Sequence, residues 1–178
     1  MRQTMRIREK TIYTIGHSNR PIEDFMKLLK AHKIETVIDI RSIPRSRHNP
    51  QFNQDLLKRS LKKEKIRYIH LEILGGLRHP KKDSLNTGWE NASFRGYADY
   101  MQTADFREGI KELIEDAKAS RCVLMCAEAV PWRCHRSLVA DALTVKKWKV
   151  LHIQSRITAK QHELTDFLTI KGRRLIYA

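Results

Sequence analysis

Residues 124–143, LMCAEAVPWRCHRSLVADAL, crowd two thiols, a carboxylate, an imidazole and two guanidiniums into one corner: Cys126, Glu128, Arg133, Cys134, His135 and Arg136. A solvated turn needs only Gly, Pro, Asn, Asp or Ser, so this set exceeds what chain reversal requires. Three chemistries suit it. Arg133 and Arg136 beside a helix start can hold an anion, because the leading N–H groups of a helix have no intrahelical partner and the dipole favours negative charge. Glu128 can move a proton, and Cys126, followed by an arginine-bearing loop, sits where a thiol becomes a nucleophile. Six residues separate Cys126 from Arg133, a loop without glycine and longer than that of the tyrosine phosphatases. A metal site of Cys126, Cys134 and His135, with His17 or Glu128 as a further ligand, is another alternative, though it has no standard ligand spacing; no metal is assigned among the site residues, and the cofactor is left open.

Other segments add to this corner. RSIPRSRHNPQ carries Arg41, Arg45, Arg47 and His48 in a loop stiffened by Pro44 and Pro50, immediately after Asp39; arginine forks match phosphate oxygens, and stiff loops lose less entropy on binding. Asp39 serves either as a second carboxylate for acid–base work or as counter-ion to these arginines. His17 follows Gly16 and precedes Ser18 at a predicted strand end, which suits contact with substrate or a hydrogen bond within the loop. Arg133 and Arg136 have a structural alternative too, pairing with Glu128, Asp39 or Asp141. Cys122 reads as core.

The elements that must position these groups follow from periodicity. TIYTIGHS, ETVIDIRS, IRYIHLEIL, RCVLMCAE and KVLHIQ are β-branched or apolar runs that predict five strands. Between them, NRPIEDFMKLLKAHK, NQDLLKRSLKKEK and FREGIKELIEDAKA carry helical spacing, and a further helix is expected from about Pro131 to Trp148. Residues 77–95 read as a long loop. Alternating strands and helices predict a single α/β domain over residues 11–178, with a mostly parallel sheet of about five strands flanked by helices on both faces. Ligands of such sheets bind beyond the carboxyl ends of the strands. GHS, DIRS, HLE, CAE and HIQS all fall there.

These motifs, with LGG (74–76) and FRGYADYM (94–101), resemble domain of unknown function family 488. The resemblance implies an α/β fold and a shared arrangement of Gly16-His17-Ser18, Asp39-Arg41, Pro44, Ser46-Arg47, Cys126-Glu128 and Cys134-His135-Arg136. The resemblance covers nearly the whole chain after the basic leader, and the tail from Ile157 onward, with His162, has no assigned place in the site.

Composition bounds the function. At 178 residues with 41% apolar and 31% charged residues, the chain has a soluble globular balance. It has no apolar run near the roughly 20 residues of a membrane span, and residues 1–10 read as a short basic leader. Three cysteines without a secretory signal point to free thiols and the cytoplasm. A net charge of +15 favours an anionic partner, nucleic acid included, although lysine-rich helix faces also serve solubility. The expectation is an enzyme of hydrolase or lyase type acting on a phosphate-bearing substrate, nucleic acid or nucleotide. Its catalytic candidates are Asp39, Glu128, His17, Cys126 and His135, and its binding candidates are Ser18, Arg41, Arg45, Arg47, Arg133, Cys134 and Arg136. The alternatives are a non-catalytic nucleic-acid-binding module, and cysteine-dependent phosphatase or sulfur-transfer chemistry at Cys126.

Overall fold

All five residues of strand β4 (Cys122–Cys126) are buried, as a strand covered on both faces requires. Its side chains alternate. Cys122, Leu124 and Cys126 belong to one apolar cluster, Val123 and Met125 to the other. On either side lie β1 (Thr11–Gly16) and β2 (Thr36–Asp39), with β3 (Arg67–His70) and β5 (Lys149–Ile153) outside them, in the order β3-β2-β4-β1-β5. These five strands are parallel. The computed structural model describes residues 9–178; the leader, apart from Glu9 and Lys10, lies outside the described residues.

Helices α1 (Ile22–Ala31) and α2 (Gln54–Lys63) supply Phe25, Leu29, Leu57 and Leu61 to the cluster on the Val123 face. Helices α3 (Ala92–Tyr100), α4 (Ala104–Ala119) and α5 (Arg136–Val145) cover the face of Leu124 and Cys126 through Tyr97, Ile110, Leu113, Leu138 and Val139. The chain is therefore an α/β domain with helices on both sides of its sheet. Helices on one face follow β1 and β2, whereas the helix after β4, between them, lies on the other face. A crevice at the carboxyl ends follows from that reversal.

Three elements differ from the sequence reading. Residues 77–95 are not all loop: α3 starts at Ala92, capped by the Asn91 side chain, which accepts from the N–H groups of Ser93 and Phe94. The tail has a place as well. Its strand β6 (Ala159–Gln161) adds antiparallel to β5 as a sixth strand, and β7 (Leu168–Lys171) pairs with β8 (Arg174–Tyr177) in a separate hairpin. The helix expected from Pro131 is broken. Pro131–Arg133 form a 3-10 turn, Cys134 is extended (φ −138°, ψ 142°), and α5 begins at Arg136 and ends at Val145. The Sγ of Cys134 accepts from the Arg136 N–H at 3.4 Å, so the thiol meets one of the orphan donors at the helix start.

Asp141 of α5 anchors the tail. Its buried carboxylate accepts from His162 Nε2 (2.7 Å), Thr165 Oγ1 (2.8 Å), the Thr165 N–H (3.1 Å) and the Tyr177 hydroxyl (2.9 Å). His162 Nδ1 meets His152 Nε2 at 2.9 Å, and His152 Nδ1 meets Thr14 Oγ1 at 2.6 Å. This polar chain joins β1, β5 and α5 to the tail through satisfied buried groups.

Candidate active site at the carboxyl edge

The loops leaving β1 and β2 continue the ladder onto the end of β4. The N–H groups of His17 and Ser18 donate to the carbonyls of Cys126 and Ala127, each at 2.9 Å, and that of Ile40 donates to Met125 at 3.0 Å. Residues distant in sequence are thereby fixed around one strand end. Beside it opens a cavity of about 420 Å³ whose walls include Arg41, Arg45, Cys126, Glu128, Arg133, Cys134 and His135. Seven of the residues named from the sequence thus share one hollow. Arg45, Glu128 and Arg133 are exposed, whereas the two thiols are buried.

The remaining five do not line it. Asp39, 0% exposed, receives Arg41 Nε at 2.9 Å, Arg41 Nη2 at 2.6 Å, the Arg41 N–H at 3.1 Å and the Tyr68 hydroxyl at 2.7 Å. Four donors saturate its oxygens, so the counter-ion reading fits it and that of a free acid–base group does not. Burial, with Asp39 beside it, pushes the Tyr68 phenol up, so this hydroxyl stays a donor. His17 accepts from Arg41 Nη1 at 3.2 Å through Nε2 and donates to the Ser18 carbonyl at 2.8 Å through Nδ1. Burial, and then the Arg41 charge, hold its pKa below the ordinary range, and its ring stacks on Phe52. Ser18 turns the chain with φ 51°, and Arg47 lies out in solvent.

Arg136 is the clearest departure from the expected anion clamp. It is 1% exposed, and its guanidinium donates to the backbone carbonyls of Glu128 (2.5 Å) and Ala129 (3.1 Å). It braces the loop that carries Glu128. Arg41, by contrast, is held rigidly against Asp39, His17 and the Phe52 carbonyl while it remains part of the cavity wall. Four of its five N–H donors are occupied, which leaves one on Nη1.

Sequence reasoning missed the apolar part of the wall: Ile43, Leu77 and Phe94, with Ser42, Gly76 and Ser93. Ser42 Oγ accepts from the Leu77 N–H at 3.0 Å and so joins the loop after β2 to the loop after β3. The signal was present in the LGG motif, whose second glycine lies against His135.

At the cavity wall the sulfurs of Cys126 and Cys134 and Nδ1 of His135 lie within 4.8 Å of one another. His135 Nε2 donates to the Ile40 carbonyl at 3.0 Å, which leaves Nδ1 as the lone-pair atom facing both sulfurs, at 3.9 and 3.8 Å. The neighbouring Cys134 thiol, as donor, holds Cys126 well below the ordinary thiol range against the opposing effect of burial; Cys134 is pushed up in return. Cys122 is core, as expected, and burial raises its pKa.

A family model described as Domain of unknown function DUF488 matches residues 21–143. The chain belongs to this family. The DUF488 segment runs from the start of α1 into α5 and contains every cavity residue named above. It leaves out β1 with His17 and Ser18, and the strands from β5 onward. Neither a curated protein nor a solved structure matches the chain. No helix among the described residues is long and apolar enough to cross a membrane.

Proposed function

We propose that this DUF488 domain is an enzyme that binds a phosphate-bearing substrate of nucleotide size at the carboxyl edge of its sheet and cleaves it hydrolytically. The observation that carries the reading is the cavity wall itself, in which Arg41, Arg45 and Arg133 surround one exposed carboxylate, Glu128. With Arg41 already balanced by Asp39, Arg45 and Arg133 against Glu128 leave the hollow a positive balance, and charge-assisted bonds to phosphate are the strong ones. The volume of about 420 Å³ lies within the roughly 300–1,000 Å³ of small-ligand sites. Ile43, Leu77 and Phe94 offer an apolar wall for a base or another flat group.

Glu128 is the general base in this reading. It takes a proton from a water whose oxygen bonds to phosphorus, while the ester oxygen departs and is protonated from solvent. Asp39 and His17 act one step back, by fixing Arg41. The three free cysteines support a reducing compartment, the cytoplasm. The chain's net charge of +15 supports a nucleic-acid end or a nucleotide as the anion.

Calorimetric titration with nucleosides, nucleoside phosphates and short oligonucleotides, followed by chromatography of products, tests the proposal. Phosphorylated ligands are expected to bind and nucleosides not to. Arg45→Ala and Arg133→Ala are each expected to weaken binding by about ten- to a hundredfold, the loss of one charge-assisted bond. Glu128→Gln is expected to keep binding and lose turnover. Equal affinity with and without phosphate removes the reading, and binding without product leaves a binding module.

A further inference from the structure

Cys126 and Cys134 pack in the apolar cluster and His135 lies against Tyr97, yet the three also bring two sulfurs and a ring nitrogen within 4.8 Å of one another. His135 presents a lone pair at Nδ1, because its other nitrogen is tied to the Ile40 carbonyl. Facing that lone pair are two sulfurs at 3.9 and 3.8 Å. Thiols are weak donors, and these distances are long for a bond that must satisfy a half-buried imidazole. They fit a different geometry. With bond lengths of about 2.3 Å to sulfur and about 2.0–2.1 Å to nitrogen, the edges of a tetrahedral metal site measure about 3.5–3.8 Å.

The surroundings agree with that geometry. Ligating histidines generally donate their second N–H to a carbonyl or carboxylate, which fixes the tautomer and the ring, and the Ile40 carbonyl does this here. The Arg136 N–H donates to Cys134 Sγ at 3.4 Å, a bond that favours a thiolate. The broken helix lets two adjacent residues serve together. Cys134 is extended and His135 is in the αR region, so both side chains reach the end of β4, where one continuous helix would set them about 100° apart around its axis.

We propose that Cys126 Sγ, Cys134 Sγ and His135 Nδ1 bind a zinc-class divalent ion whose fourth coordination position faces the cavity beside Glu128. Two thiolates and an imidazole are a soft donor set that suits zinc, and three protein ligands with one open position are the pattern of catalytic rather than structural zinc sites. Binding displaces the thiol protons, so uptake weakens as the pH falls. The proposal does not depend on which anion the cavity takes.

The test is made on the wild-type 178-residue chain. Protein purified without chelator or a histidine tag is expected to contain about one zinc ion per chain by elemental analysis. After chelation, added cobalt(II) chloride is expected to give the thiolate-to-metal charge-transfer and visible bands of a tetrahedral sulfur site. Cys134→Ala and His135→Ala are expected to lose the zinc and the cobalt spectrum. Wild-type protein that holds no zinc, gives no cobalt spectrum and leaves Cys126 and Cys134 open to a disulfide reagent overturns the proposal, whether or not the variants fold. Nucleotide titration of the chelated protein tests the anion reading separately: arginine-dependent binding there upholds that reading even where no metal is found.

Discussion

Gly76 and His135 occupy one space: a Cβ built on Gly76 would lie 2.5 Å from Nδ1 of the His135 ring. The loop after β3 can pass this close only because it has no side chain there. Gly76→Ala therefore must displace the ring that faces the two sulfurs. A loss of about 1–3 kcal/mol is expected from overpacking, together with altered cysteine reactivity at the cavity. Urea denaturation and thiol titration measure the two effects, and a variant unchanged in both contradicts this contact.

The Asp39–Arg41 pair is closed from water, with the aspartate 0% and the arginine 5% exposed. Asp39→Asn leaves a buried guanidinium without its counter-charge and is expected to cost about 3–5 kcal/mol. Equilibrium unfolding in urea reads this directly. Were Asp39 instead a free general base, the same substitution would remove turnover and leave the denaturation midpoint in place.

Asp141 secures the tail. In Asp141→Ala the buried donors of His162 and Tyr177 lose their acceptor, at about 1–3 kcal/mol each. Hydrogen exchange is expected to accelerate across β6, β7 and β8 while β1, β2 and β4 stay protected. Uniform protection across the chain would show that apolar packing, and not this carboxylate, holds the tail.

Stability must also depend on pH. Burial, with the neighbouring His162 adding to it, pushes His152 down to about 3 from 6.5. The unfolded chain takes a proton below about pH 6.5 that the native state refuses until near pH 3. The contribution is complete above pH 6.5 and is lost as the pH falls, by up to about 1.4 kcal/mol for each pH unit. His17, also pushed down by burial, acts in the same direction. Denaturation midpoints measured from about pH 8 to pH 5 should decline on the acid side; a flat profile contradicts a neutral His152.

The five parallel strands were legible because each is a short apolar, β-branched run, and their shared carboxyl edge followed from the alternation with helices. Helix α3 was missed although Phe94, Tyr97, Ala98 and Met101 recur at helical spacing, because the polar, glycine-containing segment before it masked the Asn91 cap. Strands β6 and β7 are short and largely exposed, so no apolar pattern marks them, and β8 buries only Ile176 and Tyr177 at its end, too short a run to stand out. Arg136 looked like an anion clamp because its position at a helix start is visible in sequence, whereas the loop carbonyls that enclose it come from the fold. The Cys126, Cys134 and His135 group defeats spacing rules because a break in the helix, and not a regular element, aligns two of its members. Asp39 and Arg41 could be paired on paper, but the four donors that enclose the Asp39 carboxylate come only from the fold.

The brace that Arg136 places under the carbonyls of Glu128 and Ala129 sets how the molecule will meet its ligand. With that loop held from beneath, little rearrangement is left for the moment of encounter, and free and occupied shapes will nearly superimpose. Crystals grown without ligand can then be soaked without cracking, and association will be limited by diffusion and salt rather than by a slow closing step.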